Sequence, residues 1–224
     1  AEEALQRIAR EFNYSESTFV YPPKHEANTA HVRIFTPTME IPFAGHPIVG
    51  TVMALHDLGG PSEMVLELGV GPLKCSITDG QVAFSTTAKL EIMAEPEPSL
   101  VAEALGISES DISTDVHAPI MASLGLPFTI TELTSREALS NCVPNTNVMR
   151  VGADRYPASL DFAQFVYWKD GSTIHARMFA PLDNIPEDPA TGSACAALGA
   201  LLAHVCGQEQ SLTIRQGEDM GRLS

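Results

Sequence analysis

Apolar residues recur along the chain with two spacings, and these predict most of its elements. Ala4, Leu5, Ile8, Ala9 and Phe12 repeat every three to four positions, as one face of a helix does, and predict an amphipathic helix over residues 2–12. The same periodicity predicts helices over 46–57, 100–105, 135–141 and 193–206. Short alternating or continuous apolar runs predict strands over 17–21, 31–36, 64–68, 72–77, 81–86, 127–131, 163–168, 173–179 and 211–215. Between two of these runs, Asp79-Gly80 reads as a hairpin turn, since both residues tolerate a positive φ. Gly59-Gly60 and Gly207 stand where two of the helices should end. The stretch "KLEIMAEPEPSL", Lys89 to Leu100, is acidic and proline-bearing and reads as a linker between lobes of residues 1–88 and 89–224.

The pattern also repeats. "HVRIFTP" at His31–Pro37 and "HARMFAP" at His175–Pro181 share His, Arg, Phe and Pro at an offset of 144 residues. Ile41-Pro42 matches Ile185-Pro186 at that offset, whereas Gly45 matches Gly192 at 147. Three extra residues are therefore expected within Glu187-Asp188-Pro189 of the second copy. An apolar helix follows in both copies, and "LELGVG" (Leu66–Gly71) then resembles "TIRQGEDMG" (Thr213–Gly221). Matched blocks in one order predict two related lobes about a pseudo-twofold axis. The first helix opens without a preceding strand and the second copy stops before its hairpin, which predicts a chain shorter than its parent.

Composition adds exclusions. The chain has 224 residues, is 44% hydrophobic and 18% charged, and carries 28 acidic against 13 Lys and Arg residues, a formal charge of -15. Such a surface repels phosphate backbones and anionic membranes, so no nucleic-acid or membrane partner is expected. Cys75, Cys142, Cys195 and Cys206 form no CxxC pair and have no zinc-like spacing with histidine. Reduced thiols, and the lack of a basic-then-apolar leader or an apolar run near the roughly 20 residues of a membrane span, predict a cytoplasmic protein.

Each copy presents a strand, a glycine turn and a helix. The exposed N–H groups of a helix N-terminus favour an anion, and glycine lets it approach closely. Two such turns facing each other would hold a small anionic substrate between the lobes. Simple capping is the competing reading, Ser193 being a good N-cap residue. The turns carry unlike polar groups, His46 beside Gly45 in one and Asp188 with Ser193 around Gly192 in the other, which favours a site. Small residues after Gly192 (Ala194, Ala196, Ala197, Gly199, Ala200) suit a slim helix enclosed by a sheet. In "NYSESTFV", Asn13–Val20, Glu16 reads first as a solvated loop charge, and after that as a cap for the next element or a proton carrier aimed into a cleft.

"QRIAREFNYSESTFVYPP", "RIFTPTMEIPFAGHPIVGT" and "RMFAPLDNIPEDPATGSACAAL" strongly resemble the PhzF-like family of phenazine biosynthesis, over nearly the whole chain. The resemblance implies an α+β fold of the diaminopimelate-epimerase type, with two pseudo-symmetric lobes, each a barrel-like, mostly antiparallel sheet around a central helix. It implies further segments at both chain ends, no cofactor and no metal, and a homodimer. By the same resemblance Glu16 matches the family's acid/base glutamate, His46 its cleft histidine and Asp188 its aspartate. Gly45, Gly192 and Ser193 match the turns that bind substrate, which converge with the catalytic groups on one cleft. The implied reaction is a cofactor-independent isomerisation that moves a carbon-bound proton on a cyclic, carboxylate-bearing amino acid, such as trans-2,3-dihydro-3-hydroxyanthranilate. Relatives on another small substrate, or an inactive anion-binding protein of this fold, are the alternatives. Two-thiol racemisation fails on residue type, because neither glycine turn carries a cysteine.

Overall fold

A computed structural model describes residues 2–224 and divides the chain into two compact units, Ala1–Ala88 and Lys89–Ser224. In the first unit, helix α1 (Glu2–Phe12) leads to strands β1 (Ser17–Tyr21), β2 (Ala30–Phe35) and the two-residue β3 (Glu40–Ile41). Helix α2 (Gly45–Asp57) follows, then β4 (Glu63–Leu68), β5 (Gly71–Thr78) and β6 (Gln81–Ser85). The strands run in the order β1-β2-β4-β5-β6, with β3 beside β2. All pairs are antiparallel except β2 with β4. Such a parallel pair needs a crossover, and α2 supplies it. The helix contacts β1 near one end of the strand path and β5 and β6 at the other, so the sheet curls round it. Ile48 and Val52 of α2 are fully buried there, each contributing about 1.5–3 kcal/mol of apolar transfer. The β5–β6 turn is the expected hairpin, with Asp79 at φ 50° and Gly80 at φ 75°.

The apolar face of α1 is less buried than its periodicity suggests. Ala9 is buried, while Ile8 and Phe12 are 41% and 61% exposed. This helix packs on β2, where Gln6 Nε2 donates to the Thr36 carbonyl at 2.9 Å.

The second unit adds β7 (Glu91–Ala94), α3 (Pro98–Leu105), β8 (Ile120–Ser123), β9 (Pro127–Glu132), α4 (Arg136–Asn141) and α5 (Thr146–Arg155). It continues with β10 (Gln164–Asp170), β11 (Thr173–Ala180), β12 (Ile185–Asp188), α6 (Gly192–Cys206) and β13 (Thr213–Gln216). Its sheet runs β12-β11-β10-β9-β8-β7, with β13 parallel to β11. Helix α6 lies against β8 and β9. Leu100, Leu105, Leu139 and Met149, from α3, α4 and α5, form a separate core with Val166 and Phe179 of the sheet. The slim part of α6 is its first half, where Ala194 and Ala197 are buried; farther along, Leu198, Leu201 and Leu202 fill the space.

Three expectations are corrected. The linker stretch contains a strand: β7 pairs with β8 as the outermost strand of the sheet, and its Ile92 and Met93 stay about half exposed. Helix α5 was not expected, nor were β3, β8 and β12. The three extra residues also lie earlier than the sequence match suggests. Ile34 of β2 pairs with Ile41, and Met178 of β11, 144 positions on, pairs with Asp188. Asp188 therefore stands where the first unit has Ile41. Likewise Arg33 makes a two-pronged pair with Glu40 (2.8 and 2.6 Å) and lies over Phe35. Arg177 does the same with Glu187 (2.8 and 2.9 Å) and Phe179. The offset has thus already reached 147 at Glu187. The extra length is taken up after β11 by a helical turn at Pro181–Asp183 and by Asn184 in the left-handed region (φ 63°).

Candidate active site

Glu16 is placed by the way α1 ends. Asn13 takes a left-handed backbone (φ 51°) and donates its N–H to the Ala9 carbonyl at 3.1 Å, closing the helix. Strand β1 begins at Ser17, paired with Phe35, so Glu16 sits at the head of a strand in the sheet. Its side chain is only 11% exposed, against the solvated-loop reading. Oε2 is buried without a well-directed hydrogen bond, and it lies 2.9 Å from Nε2 of His46, an ion-pair distance.

His46 is the second residue of α2 and Gly45 the first, and the N-cap residue Ala44 has no side chain with which to cap the helix. A groove of about 520 Å³ opens at this point, lined by Glu16, Thr18, His46, Gly50, Thr51 and Leu55 among others. A Cβ at Gly50 would meet nothing within 4 Å, so that wall is open. The Thr51 hydroxyl lies 2.7 Å from the Pro47 carbonyl oxygen and 3.0 Å from the Thr18 hydroxyl, fixing α2 to β1 beneath the groove. A largely buried carboxylate beside an imidazole can take up and return a proton.

The second unit gathers Asp188, Gly192 and Ser193 around the turn from β12 into α6. Asp188 is 6% exposed, and its Oδ2 accepts a hydrogen bond from the Thr191 hydroxyl at 2.5 Å. Thr191, not Ser193, is the N-cap residue of α6, yet its side chain serves Asp188 rather than the helix. Ser193 is the second helical residue and is buried, so its capping role is ruled out. At both turns the N-cap side chain leaves the first helical N–H groups uncapped, which suits an anion.

Two members of this turn escaped the sequence reading. Gln216, at the end of β13 and 2% exposed, donates Nε2 to the Asp188 carbonyl (2.6 Å) and to the Thr191 hydroxyl (2.8 Å). Its Oε1 accepts the Thr191 N–H at 3.0 Å. A signal was available in the sequence. Leu66 and Ile214 hold matching places beside Ala30 and Ile174, which aligns Leu68-Gly69 with Gln216-Gly217. A polar residue in place of Leu68, directly before a shared glycine, marks the difference.

Cys195, one turn into α6, is no nucleophile. Desolvation, with the Asp188 carboxylate adding to it, pushes its thiol up to about 12, leaving no thiolate at neutral pH. Among the described residues, no group of three or more His, Cys, Asp or Glu side chains could hold a metal ion, and no helix is long and apolar enough to cross a membrane.

The sequence profile of the family described as phenazine biosynthesis-like protein, PhzC-PhzF, matches residues 1–224. The chain belongs to this family. An uncharacterized isomerase of Mesorhizobium japonicum is 36% identical, with 99% of this chain and 78% of the relative covered. The trans-2,3-dihydro-3-hydroxyanthranilate isomerase of Pseudomonas chlororaphis is 34% identical, over 98% of this chain and 77% of its own length. Among solved structures, a PhzF-family phenazine biosynthesis protein of Bacillus anthracis superposes with a TM-score of 0.82 at 23% identity. That match covers 100% of this chain and 79% of the other. A hydroxyproline epimerase of Agrobacterium vitis follows with 0.61 at 16% identity, over 89% of this chain and 62% of the other. The last two are likenesses of fold, and they place the chain in the α+β epimerase-like fold with two sheets. This PhzF-family chain is an enzyme of the isomerase class.

Proposed function

We propose that this isomerase moves a carbon-bound proton on a small cyclic amino acid bearing a carboxylate, without a cofactor, and that trans-2,3-dihydro-3-hydroxyanthranilate is its substrate. The observation that carries the reading is the Glu16 carboxylate, 11% exposed at the floor of a largely apolar groove, with His46 Nε2 at 2.9 Å. In the proposed reaction Glu16 takes a proton from one ring carbon. The electron pair moves through the ring's double bond, and protonated Glu16 returns the proton to another carbon. One carboxylate suffices, because both transfers fall within hydrogen-bond reach of the same group. His46, 36% exposed, steadies the Glu16 carboxylate before it takes the proton and after it has returned it. The N–H groups of the Gly192 turn, with the Ser193 hydroxyl, bind the substrate carboxylate, and Asp188 orients its amino group.

Asp188 supports the reading independently of the groove. Its counterpart Ile41 is buried to the same degree, 5% against 6% exposed, so the strand position itself is filled equally well by an apolar side chain. A buried carboxylate where the fold accepts isoleucine is explained by chemistry rather than packing. The name carried by the Pseudomonas relative supports the choice of substrate.

The test is incubation with trans-2,3-dihydro-3-hydroxyanthranilate in deuterated buffer, followed by NMR. Consumption with deuterium entering a ring carbon is expected, and Glu16→Gln should lower the rate by about 10²–10⁴-fold. No consumption by the parent chain would rule out this substrate, and an undiminished rate in Glu16→Gln would move the base to His46. A homodimer is part of the proposal on family resemblance; a monomer mass by sedimentation would remove it.

A further inference from the structure

Three side chains of the second unit form a continuous polar chain, Gln216 to Thr191 to Asp188, and all three are buried, at 2%, 7% and 6% exposed. The matching positions of the first unit are Leu68, Ala44 and Ile41, also buried and all apolar. The fold fills this corner with hydrocarbon in one unit and with an amide, a hydroxyl and a carboxylate in the other.

The direction of each hydrogen bond follows from its neighbours. A backbone carbonyl only accepts and a backbone N–H only donates, so the Asp188 carbonyl and the Thr191 N–H together fix which end of the Gln216 amide is nitrogen. The nitrogen then also faces the Thr191 hydroxyl at 2.8 Å. That hydroxyl has one hydrogen. Because its oxygen accepts from Gln216, the hydrogen is free to point at Asp188 Oδ2, 2.5 Å away. The Gln216 Oε1 meanwhile occupies the Thr191 N–H, so the helix N–H groups left for an anion are those that follow, from Gly192 onward. Strand β13 holds the amide in place. Gly217, in the left-handed region (φ 76°), lets the chain turn where a Cβ would meet the Arg222 carbonyl oxygen at 2.1 Å and the Pro189 Cβ at 3.0 Å.

We infer that Gln216 is a positioning residue of the isomerase, acting through Thr191 to keep a hydroxyl donor aimed at Asp188. The inference rests on the role proposed above for Asp188 in turnover, but its geometric part stands apart from the substrate. Two variants test it. Gln216→Leu installs the residue of the first unit and removes both halves of the amide. Gln216→Glu keeps an oxygen for the Thr191 N–H but loses the donor to the hydroxyl and to the Asp188 carbonyl.

Both variants should stay folded by thermal melting and lower kcat/KM on trans-2,3-dihydro-3-hydroxyanthranilate by about 10–100-fold, the usual range for partners behind a functional group. Combined with Thr191→Val, Gln216→Leu should cost little beyond the single change, since both act through one hydroxyl. Full activity in Gln216→Glu would reduce Gln216 to a tether of the turn and overturn the inference, as would additive losses in the double variant. Crystal structures of the two variants supply the arm that needs no activity. The Thr191 hydroxyl should leave Asp188, and its staying in place would overturn the inference even if the parent enzyme proved to use another substrate.

Discussion

Burying a polar side chain costs free energy unless a partner or a reaction needs it there, and the chain does so with different outcomes at different residues. Glu67 is the structural case. It is 7% exposed and accepts hydrogen bonds from the Asn28 side chain and from the Lys24 and His25 N–H groups, at 2.8–2.9 Å. The Asn28 bond above all, with the Lys24 N–H next, lowers its pKa to about 2. Because the folded value lies below the ordinary glutamate value, the stabilisation is complete above about pH 4.3 and is lost as pH falls toward 2. The melting-temperature gap between wild type and Glu67→Gln should therefore be widest near neutral pH and close at about pH 2. A gap unchanged across that range would show that the carboxylate's charge does not hold the loop. Ser193 is the functional case. Being inside the helix rather than its cap, Ser193→Ala should leave the melting temperature almost unmoved while raising KM about 10-fold, the loss of one hydrogen bond to a charged group. A drop in stability with KM unchanged would return Ser193 to a structural role.

Elements were legible in the sequence where they bury a periodic face and obscure where they do not. Helix α2 shows this rule from one side: Ile48, Thr51 and Val52 are buried at helical spacing, and the helix was expected. Helix α5 shows it from the other, since Met149 and Gly152 are its buried residues and a lone glycine reads as a breaker. That glycine is required by packing. A Cβ at Gly152 would sit 2.2 Å from a ring carbon of Phe162, whose own backbone is left-handed at φ 54°. Gly152→Ala should thus destabilise the second unit by about 1–3 kcal/mol through overpacking, although alanine is the better helix former by about 1 kcal/mol. A rise in denaturation midpoint would refute that packing. Strand β7 was hidden for another reason: an outer strand with exposed Ile92 and Met93 beside acidic residues has the composition of a loop. The candidate site was read through its glycine turns and the family resemblance. A chance Ile-Pro match put the insertion on the wrong side of Asp188 and concealed that this residue replaces Ile41. Thr191, matched to Ala44, read only as part of the turn, and Gln216 lay in a strand that gave no sign of reaching it. The sheet also carries a polar row the pattern did not suggest: the Thr129 and Thr131 hydroxyls are wholly buried without a partner. Thr131→Val, which exchanges an unsatisfied hydroxyl for a methyl, should raise stability by about 1 kcal/mol in urea unfolding; a loss would mean that an ordered water or another group satisfies it.

At the scale of the whole chain the two units act as controls for each other. They agree where the fold makes demands. Each has an arginine stacked on a phenylalanine and forked onto a glutamate. Each has a glycine after the parallel strand, where a Cβ would crowd the turn's proline, Gly69 on Pro42 and Gly217 on Pro189. They differ where the fold is indifferent, at Ile41 and Asp188, Ala44 and Thr191, His46 and Ser193, Leu68 and Gln216. The shared set should therefore govern stability and the differing set turnover. Arg177 sharpens the contrast, since it also donates to the carbonyls of Leu139, Ser140 and Cys142 and is only 11% exposed. Arg177→Ala would strand Glu187 and those carbonyls and should cost about 3–5 kcal/mol. Asp188→Ile puts the residue of one unit into the other. Its unfolding free energy should stay within about 1 kcal/mol of wild type, because the same strand position already holds a buried isoleucine in the first unit, while turnover should fall by at least about 10²-fold. Both quantities can be read on the same preparations, by urea titration and by the deuterium-exchange assay. If Asp188→Ile unfolded as readily as Arg177→Ala, the carboxylate would be part of the scaffold, and the division of labour between shared and differing positions would fail.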